Sequence, residues 1–538
     1  MKTMLGIILR SAKTKLLLAC FILVAIGAGF LLIFANDLLA VVLNDHLMAQ
    51  NFEGLAWRLL LTAGMFALVY GLSTVGDYLS ADFEHGAISR LMRHYIGKLL
   101  GAKYEFFLNR PTAETYTGLW TAAQSSGFFF GNMLRLISGI VIFAFYGIVV
   151  FRLDVFAGIF TVVVLPVYFL LTAGLGDKVA EVIDDYLEQV SDLSTVTQEG
   201  FENIANVKAK NAHVFFASRS ADVLRKIKSL AVKEITIVQY IGNVTNLLRI
   251  IAPLLIIFAV MRFSSGFEAS AGTIMVLYIN IPLFLAGFAG IHEQYIEYKA
   301  TKPYLSKLKE FDDALPEETS GKDIATFESL RAQGVKAAFG DGRVIAVPDF
   351  EIKRGEKVMF FGESGIGKST FFNIVMGFQQ YEGAVFVNGM DLREISLGSL
   401  RRVFGITFQH TNALTLSLRE NILLGAEKSD AELERLIRLT SLESQQENKG
   451  ESVLNNKVLS GGEKSRLGLS QMLVGEPAVM LIDEAFSNMD EQLESKIIGD
   501  LFREYPDRAV ICISHRNSSR RFFDRVVDFN VLAGDARG

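Results

Sequence analysis

Apolar residues are concentrated in the first 300 positions of the chain, where six stretches are long enough to cross a lipid bilayer. A helix needs about 20 predominantly apolar residues to span the hydrocarbon core, at about 1.5 Å per residue. Such a stretch must be helical in a membrane, because lipid offers no partner to backbone N–H and C=O groups. The pattern therefore predicts an all-α membrane domain of six helices. The stretches are 16–35, 59–75, 134–151, 155–175, 236–261 and 273–291.

Lys and Arg residues around these stretches predict which ends face the cytoplasm, because cytoplasmic loops are enriched in them. They precede the first stretch, are absent from 36–55, and are frequent after the second and fourth stretches. The pattern predicts a multi-pass protein of the inner or plasma membrane with both termini in the cytoplasm. The two internal basic segments contain few helix breakers, so we expect two long helical extensions into the cytoplasm.

The character of the chain changes after residue 300. Residues 301–334 are charged and contain no span, which is typical of a linker. From residue 335 onward, short apolar or β-branched runs alternate with helical patterns, which indicates an α/β domain with a mainly parallel sheet. We therefore expect a transmembrane domain over 1–300, a linker over 301–334 and an α/β domain over 335–538.

The overall composition is an average over these two parts. Hydrophobic residues make up 51% of the 538 residues and charged residues 21%, which excludes an intrinsically disordered chain. The formal net charge of −5 argues against a general nucleic-acid binder, so no nucleic-acid partner is expected. Cys20 and Cys512 lie at opposite ends of the chain, which excludes a disulfide-bonded scaffold.

A complete phosphate-binding motif, G-x-x-x-x-G-K-S, follows the apolar run 358–361 and precedes a helical pattern. Glycines let successive backbone N–H groups converge on phosphate oxygens, and the helix N-terminus favours negative charge. Lys368 is predicted to neutralise the β- and γ-phosphates of a nucleotide, and Ser369 to place its hydroxyl on Mg²⁺. The candidate nucleotide-binding residues are Gly362, Glu363, Ser364, Gly365, Ile366, Gly367, Lys368, Ser369 and Thr370.

This motif alone is shared by kinases, GTPases and ATPases, so later motifs must distinguish them. The apolar run 479–482 ends in two carboxylates: Asp483 is suited to hold Mg²⁺, and Glu484 to act as general base on the attacking water. An LSGGE motif at 459–463 precedes a helical pattern, and the run 509–513 ends in Ser514 and His515.

These motifs resemble, in kind and in order, those of the nucleotide-binding domain of an ABC transporter. The six spans with long cytoplasmic helices resemble the transmembrane domain of an exporter-type half-transporter, so the resemblance covers nearly the whole chain. The implied fold is a six-helix exporter-type membrane domain followed by an α/β P-loop ATPase domain. The departures are small: the signature ends in Glu463 where Gln is commoner, and the D-loop reads SNMD at 487–490.

The resemblance also implies roles for individual residues. Gln409 matches the Q-loop, which senses Mg²⁺ and the attacking water, and His515 matches the switch histidine that stabilises the γ-phosphate. Asp490 matches the D-loop. Phe339 is placed to stack on adenine. The signature of one subunit closes on ATP held by the other subunit, which assigns binding in trans to Ser460, Gly461, Gly462 and Glu463.

Polar residues inside membrane spans are costly if they face lipid, so they are usually turned inward. In the fifth stretch four of them are spaced by 4, 3 and 3 residues, which places them on one helix face. Hydrogen bonding between helices and lining of a substrate pathway are both consistent with the pattern. We hypothesise a pathway, in which Arg135 and Arg249 would favour a carboxylate or phosphate on the substrate. The candidates are Asn132, Arg135, Gln239, Asn243, Asn246, Arg249 and Asn280.

Taken together, the resemblance implies an ATPase that uses ATP and Mg²⁺ to export a solute by alternating access. One chain carries half of each composite ATP site, so it requires a second half-transporter; a homodimer is favoured because every catalytic motif is present, and a heterodimer is the alternative. The expected substrate is a peptide or an amphiphilic molecule. The rival interpretations are a lipid flippase and a non-transporting, nucleotide-gated regulator, which the presence of Glu484 and His515 disfavours.

Overall fold

The computed structural model describes residues 2–48, 50, 52–108, 110, 112–264, 270–317, 320–339, 342–449, 453–454 and 459–530. The chain forms two compact units. The first comprises Met1–Ala102 and Phe106–Pro316, and the second comprises Lys103–Glu105 and Glu317–Gly538.

The first unit is helical, and its described part contains six helical segments long and apolar enough to cross a membrane. Each predicted stretch lies within one of them, so the prediction of six apolar spanning helices is confirmed. The helices are longer than the stretches because they continue into polar sequence. The segments are Ala12–His46, Leu55–Leu100, Thr115–Leu153, Val155–Glu202, His213–Phe263 and Gly272–Thr301.

Two of these helices are far longer than a bilayer requires. The second and fifth contain 46 and 51 residues, or about 70 and 75 Å, against about 30 Å of hydrocarbon. The fourth segment is divided at Gly174, which adopts the left-handed conformation with φ of 74°. The helices of this unit are α1 Lys2–Ile8, α2 Ala12–Val41, α3 Leu55–Leu100, α5 Thr112–Leu153, α6 Val155–Thr172, α7 Leu175–Glu202, α8 Ile204–Ala209, α9 His213–Phe263 and α10 Ala271–Asp312, with a π-helix at Val42–Met48. The short helix α4 Glu105–Leu108 has its first residue in the second unit and the rest in the first.

Small residues allow α3 and α5 to approach closely. A Cβ added to Gly127 would lie 2.2 Å from the Ile88 side chain, and one added to Gly131 would lie 2.4 Å from the Glu84 carboxylate. The hydroxyl of Ser80 also donates to the backbone carbonyl of Gly131 at 3.3 Å. Glycines four residues apart are a common means of bringing membrane helices together. Here they make room for a buried carboxylate.

The described residues of the second unit form two sheets. One is entirely parallel, in the order β10–β4–β9–β8–β7, which confirms the expected α/β domain. The other is antiparallel, with β1 pairing with β2, β3 and β5, and β5 with β6. The strands are β1 Ser329–Ala338, β2 Val344–Ala346, β3 Phe350–Lys353, β4 Lys357–Phe361, β5 Glu382–Val387, β6 Met390–Asp391, β7 Phe404–Thr407, β8 Val479–Asp483, β9 Ala509–Ile513 and β10 Arg525–Asp528.

Helices cover the sheets, and their first turns are well capped. Ser417, Ser429 and Ser460 each accept from the backbone N–H three residues later, and a glutamate at that third position bonds back to the serine. The helices are α11 Lys368–Val375, α12 Leu397–Val403, α13 Leu418–Leu423, α14 Asp430–Leu439, α15 Glu443–Lys449, α16 Gly461–Val474 and α17 Glu491–Glu504, with 3₁₀ turns at Leu392–Glu394 and Asn517–Phe522.

The segment expected to be a linker, 301–334, is partly regular structure. Helix α10 continues to Asp312, and strand β1 begins at Ser329. An exposed helix end has the same charged composition as a linker. Composition alone therefore made the linker too long at its N-terminal side.

Candidate active site

The parallel sheet brings the predicted catalytic motifs to one edge. Its register places Asp483 beside Ile513, Ile482 beside Thr407, and Phe360 beside Ile513. The carboxyl ends of parallel strands form the usual binding edge of such sheets. The phosphate-binding loop, Gln409, Glu484 and His515 each follow one of these ends within two residues.

Backbone conformation and close packing explain the glycines of the phosphate-binding loop. Gly362, Gly365 and Gly367 have φ of 150°, 81° and 115°, which side chains rarely adopt. A Cβ on Gly367 would lie 2.2 Å from a methyl of Ile345 on β2. The Asn530 side chain accepts from the Glu363 N–H at 3.0 Å. Substituting these glycines would therefore change the course of the loop.

Lys368 begins α11 beneath this loop. Its ammonium donates to the carbonyls of Gly362 and Glu363, both at 2.8 Å, and the residue is 5% exposed. Burial lowers the pKa of Lys368, and the negative charges of Glu484 and Asp483 oppose that shift. The amine is therefore a buried cation held inside a curve of backbone, where phosphate oxygens can replace the two carbonyls as partners.

Asp483 and Ser369 form a site that fits Mg²⁺. Asp483 is 7% exposed, and burial raises its pKa, while a hydrogen bond from Ser369 acts in the opposite direction. Its Oδ1 atom has no hydrogen-bond partner among the described residues. A buried carboxylate oxygen without a partner, beside a hydroxyl, offers the oxygen ligands that Mg²⁺ takes together with substrate phosphates.

Glu484 is held by two side chains that are distant in sequence. Gln409 Nε2 donates to its Oε2 at 2.8 Å, and His515 Nε2 lies 2.9 Å from its Oε1. Glu484 has a left-handed backbone with φ of 48°, and its N–H donates to the Ile513 carbonyl at 3.2 Å. A carboxylate fixed in this way, at the sheet edge that carries the phosphate-binding loop, can accept a proton from a water molecule.

The signature motif forms the N-terminus of α16. Ser460 accepts from the Glu463 N–H at 3.3 Å, and Glu463 accepts from the Ser460 N–H at 2.7 Å. The departure to Glu463 therefore has a structural role, since it completes this capping box and also accepts from Gln445. Gly461 and Gly462 follow in the first turn of the helix. A helix N-terminus of this kind favours an anion such as phosphate.

The D-loop packs against this helix end. A Cβ on Gly462 would lie 2.9 Å from the Asn488 carbonyl, and one on Gly461 would lie 3.4 Å from the Asn488 side chain. Asp490 accepts from the Leu493 N–H at 2.9 Å and so caps α17. The asparagine that departs from the family's D-loop is thus the residue in contact with the signature glycines.

Phe339 lies at the end of β1, half-buried against the core of the second unit. The Arg343 guanidinium is 5.8 Å from the centre of its ring. Adenine stacking by Phe339 stays a prediction.

The polar residues of the spans divide into two groups. Asn280 is fully buried and donates to Asn36 on α2 at 2.8 Å, and Arg135 bonds to Asn132 and to Glu84 at 3.4 Å. For these three candidates, bonding within and between helices accounts for the polar side chain, and the charge of Arg135 is paired.

The second group lies on α9. Gln239, Asn243 and Asn246 are exposed in the isolated chain, and Arg249 is half-buried. Among the described residues, Arg249 forms no ion pair. A role for this row of residues in a substrate pathway stays a prediction.

Three residues of these sites escaped the sequence analysis. Glu84 lies in the basic segment after the second stretch, and an acid at that position was a detectable signal. Asn488 was noticed only as a departure from the family pattern. No pattern in the sequence marked Asn530, because it reaches the phosphate-binding loop from 167 positions away.

Comparison with protein families gives two matches. The model of the ABC transporter transmembrane region matches residues 18–286, and the ABC transporter model matches residues 346–487. The first alone covers half of the chain.

Some relatives are similar to this chain over most of their length, and others over about half of it. The ATP-dependent lipid A-core flippase of Francisella tularensis subsp. holarctica (strain OSU18) is 22% identical over 500 residues, 87% of this chain and 78% of the flippase. The mycobactin import ATP-binding/permease protein IrtB of Mycolicibacterium smegmatis is 28% identical over 271 residues, 48% and 47% of the two chains. The structure of a bacterial Atm1-family ABC exporter with ATP bound superposes with a TM-score of 0.85 at 19% identity, over 96% of this chain and 94% of the other.

Proposed function

The chain belongs to the ABC transporter family, and from that premise we propose that two copies form a homodimer that exports an anionic amphiphile, of which a peptide is one example, by alternating access. The observation that carries the proposal is the convergence of Gln409 and His515 on Glu484 in a chain with six span-length helices. The alternative assembly is a heterodimer with another half-transporter.

Each residue of the candidate site has a part in ATP hydrolysis. The loop N–H groups and Lys368 bind the β- and γ-phosphates, and Asp483 and Ser369 would hold Mg²⁺, which supplies charge neutralisation at the phosphates. Glu484 accepts the proton of the attacking water. Gln409 and His515 orient that carboxylate, and His515, which matches the switch histidine of the family, would also stabilise the γ-phosphate.

Two features support a dimer. In this family the signature helix of one subunit completes the ATP site of the other, and the α16 N-terminus has the glycines and the cap that such a role requires. In addition, Gln239, Asn243 and Asn246 are exposed on a span-length helix. Polar side chains facing lipid would be costly, so a partner subunit or a water-filled path must cover this face.

The charge on α9 supports an anionic substrate. Arg249 forms no ion pair in the described part of the chain, whereas Arg135 is paired with Glu84. An unpaired cation at membrane depth is favourable only if an anion or water reaches it. We therefore assign substrate recognition to Arg249 together with the exposed row on α9, rather than to Arg135, Asn132 or Asn280.

A lipid flippase is the second candidate, because a relative over 87% of this chain is named a lipid A-core flippase. An acidic lipid also presents an anionic headgroup and an apolar body, so the same features of α9 would recognise it. The Lys and Arg distribution supports an orientation in the inner or plasma membrane with both termini in the cytoplasm.

The function is tested with the purified protein reconstituted in liposomes. ATP and Mg²⁺ are added outside, so they reach only those molecules whose nucleotide-binding domains face outward. Candidate amphiphilic peptides, amphiphilic drugs and fluorescent acidic lipids are offered in turn. Accumulation of a soluble compound supports export, and movement of the lipid between leaflets supports the flippase. ATP-dependent release of a compound loaded inside the liposomes would show that the protein imports rather than exports. ATP hydrolysis without movement of any probe would support the non-transporting regulator.

We expect Arg249→Ala to raise the concentration of substrate needed for half-maximal stimulation of ATPase activity by about 10- to 100-fold, because a charge-assisted hydrogen bond contributes about 1.5–3 kcal/mol. Basal ATPase activity should be unchanged. The control is Arg262→Ala, which removes an exposed arginine at the end of the same helix. Unchanged transport and unchanged stimulation in Arg249→Ala would exclude this role.

A further inference from the structure

Arg516, which directly follows His515, binds the turn that begins at Glu484. Its Nη2 donates to the carbonyl of Ser487 at 2.7 Å, and its Nη1 donates to the carbonyl of Met489 at 2.8 Å. These two carbonyls belong to the D-loop, which connects the catalytic carboxylate to α17. A guanidinium has donors in a fixed planar arrangement, so two bonds in different directions define the position of the loop.

A buried acid fixes the guanidinium itself. Glu494 on α17 is 1% exposed, and its Oε2 accepts from Arg516 Nη1 at 2.7 Å. The other oxygen of Glu494 accepts from the Ser519 hydroxyl. A buried carboxylate without a cation is strongly unfavourable, so this pairing holds Arg516 in one orientation.

Together, adjacent residues hold both ends of one short segment. His515 contacts Glu484 at its start, and Arg516 contacts the carbonyls of Ser487 and Met489 near its end. Bonds inside the segment, from the Ser487 N–H to the Glu484 carbonyl and from the Met489 N–H to the Phe486 carbonyl, make it a pair of tight turns. The segment is therefore a short, hydrogen-bonded link between two ends that adjacent residues hold.

We propose that Arg516, anchored by Glu494, is a positioning residue that keeps the Glu484 carboxylate in place for hydrolysis and joins it to the D-loop beside the signature helix. Two further observations support the role. Glu484 has a left-handed backbone, a conformation that persists only when its surroundings hold it. Asn488, between the two bound carbonyls, packs on Gly461 and Gly462. The proposal rests on the ATPase activity of the chain.

The first test measures hydrolysis and binding separately in the full-length protein. We expect Arg516→Ala to lower kcat about 10- to 100-fold, since displacement of a catalytic group by about 1 Å has effects of that size. The Kd for Mg²⁺-ATP should stay within twofold, because among the described residues Arg516 forms no hydrogen bond or ion pair with the phosphate-binding loop. Arg516→Lys, which keeps the charge but not the planar arrangement of donors, should recover part of the rate.

The matched control is Arg521→Ala. Arg521 lies in the Asn517–Phe522 turn that follows Arg516, and it likewise donates to α17, to the Ser495 hydroxyl at 3.1 Å. It is exposed, and among the described residues it forms no hydrogen bond or ion pair with the D-loop. This variant should hydrolyse ATP at the wild-type rate. Equal losses in the two variants would show a general loss of fold and overturn the proposal.

The second test does not depend on activity. Hydrogen–deuterium exchange of the amides in 484–490 should be faster in Arg516→Ala than in the wild type and unchanged in Arg521→Ala. Unchanged exchange in Arg516→Ala overturns the proposal even if the protein has no ATPase activity. Faster exchange with an unchanged kcat overturns the functional part, because the loop would be looser without effect on the reaction. An inactive wild-type protein would count against the proposed function alone.

Discussion

Replacing Glu484 by Gln is expected to lower kcat for ATP hydrolysis by at least about 100-fold, which is the contribution typical of a general base. Glutamine cannot accept the proton of the attacking water, yet it has nearly the shape of glutamate and can still accept from Gln409. Binding of Mg²⁺-ATP should persist, because Lys368, Ser369 and Asp483 are unchanged. The rate of phosphate release and the equilibrium binding of ATP are the two measurements.

The control for this substitution is Glu491→Gln, at an exposed position in the first turn of α17. It makes the same chemical change seven residues away and should leave kcat unaltered. In liposomes, Glu484→Gln should also abolish ATP-driven movement of the substrate. A variant that hydrolyses ATP at the wild-type rate would remove Glu484 from the role of general base.

The spans were predictable because their signal is strong and local. A bilayer requires about 20 apolar residues in sequence, and every predicted stretch lies inside a spanning helix. The helix ends were not predictable in this way. Polar residues beyond the apolar core continue α3 and α9 for many turns, and hydropathy carries no information about where such an exposed helix stops.

The part of the candidate site that lies in local sequence motifs was predictable. Gln409, Glu484 and His515 each follow an apolar run, and a parallel sheet places such ends together. The sequence could not reveal the hydrogen bonds between distant positions of the chain that hold these residues in place. Arg516 bonds to carbonyls 27 and 29 residues away, and Asn530 to an N–H 167 residues away. Backbone carbonyls and N–H groups are present at every residue, so no motif marks them as partners.

The polar residues of the spans show the limit of helix-face reasoning. Asn280 and the α9 row fell into one class because all of them are polar residues inside apolar stretches, but packing separates them. Asn280 is bonded to Asn36, whereas Gln239, Asn243 and Asn246 remain exposed. Neighbouring helices decide this difference. Glu84 likewise pairs with Arg135 only because Gly131 leaves space for its carboxylate.

Replacing Lys368 by Ala is expected to weaken Mg²⁺-ATP binding by about 10- to 100-fold, because hydrogen bonds to charged groups contribute about 1.5–3 kcal/mol. The alanine variant leaves Asp483 and Glu484 without the nearby cation, so their negative charges would repel the phosphates. It also removes the donor to the carbonyls of Gly362 and Glu363, which helps to hold the curve of the loop.

The affinity is best measured by titration calorimetry in the Glu484→Gln background, where hydrolysis does not consume the ligand. Lys353→Ala, which removes an exposed lysine of β3, is the control and should bind ATP normally. Lys368→Arg should recover little, because a planar guanidinium does not fit between two carbonyls that a compact ammonium reaches at 2.8 Å. Unchanged affinity in Lys368→Ala would show that the phosphates bind without the buried cation, so the loop N–H groups and the helix N-terminus alone would account for the site.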